Sequence, residues 1–229
     1  MTFVLGVDGC RAGWLAVRLD LGGCGIEALL AEYWAALPWR QAAMIAVDMP
    51  LGLADAGPRD CDIAARGLLP PGRKSSVFPP PRRYMLACAN WQAAQDLGRA
   101  REGTGISKQA WNITDKIREL DEALDPADQT RVREVHPELV FHRLNDWQAL
   151  PPKRRLEDQE ARLALLQRAG LPEIAPWLDH FPRQAAGRDD VIDAAACAYT
   201  AQRLLAGAAE RLPATPPRDS RGLRMEICY

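Results

Sequence analysis

With 229 residues, 48% hydrophobic and 26% charged side chains and a formal net charge of -1, the chain has the make-up of a soluble globular protein with no global attraction to nucleic acid or to an anionic membrane. It contains no run of about 18 apolar residues, which argues against a membrane-spanning helix, and its start lacks the basic, apolar and small-residue order of a signal peptide. Six cysteines, at 10, 24, 61, 88, 197 and 228 and never spaced C-x-x-C, speak against a zinc site or a disulfide scaffold and for a reducing, cytoplasmic compartment.

In chain order, residues 3–7 predict a buried strand that runs into Asp8-Gly9-Cys10-Arg11-Ala12-Gly13. A second strand is predicted over 14–19 and a weaker third over 24–30, after Gly22-Gly23. Helical character follows over 31–42, limited by Pro38. Residues 44–47 predict another short buried strand, ending at Asp48-Met49-Pro50. Residues 54–83 read as irregular and Pro-rich, and Pro79-Pro80-Pro81 holds a stiff extended stretch. Helices are predicted over 84–100 and 107–122, the latter from the i, i+4, i+7 spacing of Ile113, Ile117 and Leu120.

Residues 131–135 read as a further strand, stopped at His136-Pro137. A strong helix pattern over 157–169 is ended by Gly170 and Pro172, and a second covers 189–206. Residues 222–229 have strand character and are expected to add a sheet edge. This order predicts an α/β fold with mixed strands and a helical insertion between the fourth and fifth strands. The chain is read as a single domain over 1–229, with a basic, Pro-rich and helical insertion at about 54–125.

Three predicted strand ends carry an acid: Asp8, Asp48 and Glu134. In an open α/β sheet, ligands collect beyond the carboxyl ends of parallel strands, so these acids are expected to share a crevice. Asp190 and Asp193 are three residues apart and lie on one helical face. Asp189 is the expected helix cap. Such a cluster repels itself, and divalent cations with a preference for oxygen, Mg²⁺ or Mn²⁺, relieve the repulsion. Two ions about 3.5–4 Å apart would suit phosphodiester hydrolysis. Each acid taken alone also has an ordinary reading as a turn, cap or edge residue.

The strand order with Asp at the ends of the first and fourth strands, and the late helical Asp-x-x-Asp-Ala, resembles the RNase H-like fold, in its Holliday-junction-resolvase branch. More closely, the chain resembles the "domain of unknown function 429" family, described as predicted RNase H-like nucleases. The matching stretches are Gly6 to Trp14, Val47 to Leu53, Ser75 to Pro79, Gly105 to Trp111, Glu134 to Glu138, Asp189 to Ala195 and Gly222 to Ile227. The resemblance implies a mixed sheet of order 3-2-1-4-5. It implies metal-bearing acids at Asp8 and Asp48, and an acidic pair at Asp190 and Asp193. Glu134 has no counterpart in the resolvase pattern and is added from its strand-end position; His136 or Glu138, flanking Pro137, could replace it.

Residues 63–95 contain no Asp or Glu but carry Arg66, Arg73, Lys74, Arg82 and Arg83. This local imbalance suits contacts to a phosphate backbone, with Ser75 and Ser76 as further donors. The alternative is a solvated loop whose arginines pair with acids elsewhere. Arg11 stands beside Asp8 and could hold a phosphate or the carboxylate. Lys108 follows a Gly-rich stretch at a helix start, where anions are favoured. His142 and His180 read as structural or exposed, and Trp14, Trp91 and Trp111 as packing residues.

The leading expectation is a metal-dependent nuclease acting on nucleic acid or a nucleotide. Its expected catalytic residues are Asp8, Asp48, Glu134, Asp190 and Asp193. Its expected substrate contacts are Arg11, Ser75, Ser76, Arg82, Lys108 and His136. A phosphotransferase of the sugar-kinase and actin type is the runner-up; it usually needs two copies of the fold and a Thr or Ser where Cys10-Arg11-Ala12 stands. A non-catalytic binding module is the third reading. A homodimer is left open.

Overall fold

The computed structural model describes residues 2–23, 25–151, 156–171 and 174–229. Cys24, expected to start the third strand, and Pro172, expected to stop a helix, lie outside the described residues. The chain opens with β1 (Phe3–Cys10), β2 (Gly13–Asp20), β3 (Ile26–Ala31) and β4 (Met44–Asp48). Next come α1 (Asp60–Leu68), α2 (Trp91–Glu102), α3 (Lys108–Asn112), α4 (Thr114–Ala123) and β5 (Val132–Glu134). The remainder forms α5 (Pro137–Leu144), α6 (Leu156–Arg168), α7 (Arg188–Leu205) and the short strands β6 (Arg211–Leu212) and β7 (Ile227–Cys228). No helix among the described residues is long and apolar enough to cross a membrane.

The chain divides into two compact units. One comprises Met1–Met49, Arg131–Glu210 and Cys228–Tyr229, the other Pro50–Thr130 and Arg211–Ile227. The first holds a five-stranded sheet of order β3-β2-β1-β4-β5. β1-β2 and β2-β3 are antiparallel, whereas β1-β4 and β4-β5 are parallel. This is the order that the RNase H-like resemblance implies, and helices stand between β4 and β5 as expected. β1 and β4 are nearly continuous apolar runs because their side chains are fully buried, from Val4, Leu5 and Val7 to Ile45, Ala46 and Val47.

Where a helix is expected over 31–42, the structure has only a 3-10 turn at Trp34–Ala36. Pro38 cannot donate to a helical ladder, and the segment is held instead by its aromatic side chains. Trp34 packs edge-on against Trp14 at 5.5 Å and against Trp39 at 5.7 Å, all three buried. The strand stops before His136-Pro137 as expected, and a helix not expected there follows at once: Pro137 occupies the first turn of α5, where its missing N–H costs nothing. Beyond β5, Val135 makes a parallel bridge to Cys228. The C-terminal segment therefore does meet this sheet, although regular strand is confined to Ile227–Cys228.

The second unit is more helical than the irregular reading of 54–83 allowed. That reading missed α1, whose buried Arg59 precedes it and grips Asp62 at 2.6 Å. The helix expected over 84–100 is split. A 3-10 turn covers Arg83–Ala87, and α2 starts afresh where Asn90 accepts from the Ala93 amide at 2.9 Å. The helix over 107–122 likewise breaks at Ile113 into α3 and α4. Trp91 and Trp111 pack on a cluster of Met85, Ala94, Ile106 and Ala110, as their reading as packing residues expects.

Candidate metal centre

The register of β1 on β4 sets Asp8 opposite Asp48. Paired residues in adjacent strands point to the same face, so two carboxylates are delivered side by side. β1 runs on past Asp8 to Cys10, which places Asp8 within the strand rather than after it. Gly6 lies on the same face, two residues earlier. A Cβ at Gly6 would sit 1.9 Å from the Ala198 nitrogen and 2.1 Å from the Ala194 oxygen, both backbone atoms of α7. The missing side chain, with the buried alanines 194, 195, 196 and 198, lets α7 lie directly on the strand. Asp193 is brought to the strand acids by that close approach.

One carboxylate oxygen from each of Asp8, Asp48 and Asp193 falls within 4.8 Å of the other two. Asp193 is 8% exposed, while Asp8 and Asp48 are half-buried. Burial, followed by the charges of Asp48, Asp193 and Asp190, pushes the Asp8 carboxyl well above the usual range. The Gly9 amide, donating at 2.7 Å, opposes this only in part. Acids that crowd together at such cost to ionisation, with oxygen as the only donor, fit a hard divalent cation. The donor set leaves the identity of the ion open.

Asp190 stands one step outside this triad. Its carboxylate accepts from the Gly187 amide at 2.7 Å and closes the first turn of α7. Burial and the Asp193 and Asp189 charges raise its pKa, opposed by the Gly187 hydrogen bond and the charge of Arg11. The capping role expected of Asp189 therefore belongs to Asp190. Asp189 is exposed and accepts from Gln159 at 2.7 Å.

Glu134 does not join the acids as expected. Val47 is its partner on β4, so Glu134 projects from the face opposite to Asp8 and Asp48. Nor does Glu138 replace it. Arg162 of α6 holds Glu138 at 3.0 and 3.2 Å and Asp158 at 2.8 Å, all three nearly inaccessible to solvent. The guanidinium lies over the Phe141 ring at 4.5 Å, and its charge also acts on Asp193. The i, i+4 spacing of Asp158 and Arg162 on a predicted helix was the available sign of this network. His136 is half-buried at the start of α5, and His142 is fully buried within it. Cys197, one turn beyond Asp193, is fully buried. Burial and the charges of Asp48, Asp8 and Asp193 raise its thiol pKa well above the usual value, so it stays neutral there.

Arg11 is exposed on the β1–β2 turn. Apart from His136, which is in the sheet-bearing unit, the remaining expected substrate contacts belong to the second unit. Arg82 pairs with Glu102 at 3.2 Å, and Arg83 pairs with Asp121 at 2.8 Å and with Asp219. These arginines answer acids within their own unit, as the solvated-loop alternative supposed. Ser76 donates to the Arg73 carbonyl at 2.7 Å, and Lys74 and Ser75 are exposed on the same turn. Lys108 lies over the Trp91 ring at 5.1 Å.

The fold and site together define an α/β protein with an RNase H-like strand order and an acidic cluster able to hold a metal ion. The family described as Protein of unknown function (DUF429) matches residues 6–218, and the chain belongs to that family. Neither a curated protein nor a solved structure matches the chain.

Proposed function

We propose that this protein is a metal-dependent nuclease whose centre is Asp8, Asp48 and Asp193. The observation that carries the reading is the convergence of these three carboxylates within 4.8 Å at the C-terminal ends of two parallel strands, where α/β sheets place their ligands. Mg²⁺ or Mn²⁺ held there, as one ion or two, would supply charge to a phosphoryl oxygen and lower the pKa of a bound water. The three aspartates hold the ion. An ion held there would favour the charged form of Asp8, against the burial and like charges that raise its pKa. Asp190 and Arg162 set the charge around the triad from either sign, and Gly6 keeps α7 near enough for Asp193 to take part.

The test is a panel of single-stranded, double-stranded and branched DNA, RNA and nucleotides with Mg²⁺ or Mn²⁺, run on the wild type, Asp8→Asn and Asp193→Asn. Cleavage that needs the metal and disappears in both variants supports the proposal. Cleavage unchanged in Asp8→Asn contradicts the site. Metal binding without cleavage of any substrate favours a non-catalytic binding module on the same fold.

A further inference from the structure

A cavity of about 660 Å³ opens in the sheet-bearing unit beside the start of α7. Its size is that of a small-molecule site and far exceeds what one inorganic anion needs. It is lined by the turn that follows Asp8, through Arg11, and by the loop over 178–187, which the Ala12 amide ties to that turn by donating to the Ala185 carbonyl at 3.0 Å. The cavity therefore shares a strand turn and a helix start with the acidic centre.

Three arginines and two aspartates line it, an excess of basic groups. Asp179 is paired with Arg188 at 2.8 Å, while Asp189 keeps its charge and accepts from the neutral Gln159 amide. The Gly187 amide is also used, by Asp190. Arg11 and Arg183 both line the cavity, both are exposed, and neither makes a hydrogen bond or ion pair among the described residues. The opposite character comes from Leu178, Phe181, Pro182 and Ala186. Phe181 is half-buried, with His180 edge-on to its ring at 4.9 Å. Two available guanidinium groups near an aromatic and aliphatic wall match a ligand with a phosphate at one end and a flat, weakly polar ring at the other.

We infer that this cavity binds a nucleoside monophosphate unit, its phosphate on Arg11 and Arg183 and its base against Phe181. The unit is either a free nucleotide or the terminal residue of a single strand. The inference rests on the nuclease reading for its purpose, since it would hold a nucleotide or strand end beside the acidic centre. Its binding step needs no metal, so the two can fail separately.

The experiment is calorimetric titration in EDTA with 5′-nucleoside monophosphates, inorganic phosphate, and short single strands with or without a 5′-phosphate. The proteins are the wild type, Arg11→Ala, Arg183→Ala and Asp8→Asn. Nucleoside monophosphate is expected to bind more tightly than inorganic phosphate. Arg11→Ala and Arg183→Ala are each expected to weaken it by about tenfold or more, without lowering the unfolding midpoint, because both side chains are exposed. Asp8→Asn is expected to retain it. A phosphorylated strand that outcompetes the free nucleotide identifies a strand end as the source, and the reverse identifies the free nucleotide. No binding, equal binding of inorganic phosphate, or full affinity in both arginine variants overturns the inference. Metal-dependent cleavage lost in Asp8→Asn would stand regardless.

Discussion

Glu138 and Asp158 share the guanidinium of Arg162, whereas Asp8, Asp48 and Asp193 share one another. The first group is held by α5 and α6 and the second by β1, β4 and α7 of the sheet-bearing unit, and both remove carboxylates from water. In the first, Arg162 meets both oxygens of Glu138 through one nitrogen and Asp158 through another, so a buried cation is paired directly with each acid. In the second, Asp8 has no ion pair among the described residues, and its like-charged neighbours hold its pKa up. Burial alone therefore does not mark a site. What separates the two groups is that a cation pairs directly with each acid of the first, whereas like charges dominate around Asp8.

The largest effect is expected from breaking the satisfied group. Arg162→Ala would leave Glu138 and Asp158 buried without their cation, and a loss of about 3–5 kcal/mol is expected in denaturant unfolding. A loss near zero would show that the contrast between the groups is misdrawn. Gly6→Ala comes next. Its methyl would meet α7 backbone that has no flexible end to move aside, and about 1–3 kcal/mol of destabilisation is expected, as for other overpacked positions. Divalent-ion binding should fall with it, because α7 carries Asp193. Gly6→Ala with undiminished metal affinity would separate the helix contact from the site.

Asp8→Asn should go the other way. Removing one charge from the crowded triad is expected to stabilise the metal-free protein by about 1 kcal/mol, the usual trade at a functional position. Thermal unfolding in EDTA checks this, and a clear destabilisation would count against repulsion at the triad.

The smallest effect is on pH dependence. The folded-state pKa of Asp8 is raised, so between the unfolded and folded values the folded chain holds more protons. Stability of the metal-free protein should therefore be fully present below the ordinary aspartate range and should fall as pH rises through the raised value. Saturating Mg²⁺ should flatten that slope, and the Asp8→Asn variant should lack Asp8's share of it. Unfolding midpoints across pH, with and without the ion, measure all three.

All three clustered acids were legible in the chain, Asp8 and Asp48 from local pattern and Asp193 from the late helical Asp-x-x-Asp-Ala, while the sheet order came from the resemblance. Apolar runs marked β1 and β4, and each carried its aspartate near the C-terminal end. Glu134 misled because strand-end position says nothing about pleat: pairing with Val47 rather than Asp48 turned it to the other face. Asp190 misled because helical spacing places it near Asp193, yet its short side chain is drawn back to the Gly187 amide. Pro137 reads as a strand stop, and the strand does end before it, but that reading misses α5, which starts at the same residue. The depth at which α7 lies on β1 depends on Gly6 meeting Ala194 and Ala198, a contact between residues far apart in the chain. Arg162 was not singled out although Asp158 stands four residues before it, because Glu138 joins them only in the tertiary fold, and the cavity beside Arg183 is likewise assembled only there.

The most direct test of the central claim is calorimetric titration of Mg²⁺ and Mn²⁺ into the metal-free wild type and into Asp8→Asn, Asp48→Asn and Asp193→Asn, repeated in buffers of different ionisation enthalpy. The account predicts saturable binding to the wild type with proton release, and its loss in all three variants. Absence of binding at millimolar ion, or equal affinity in the three variants, would contradict it.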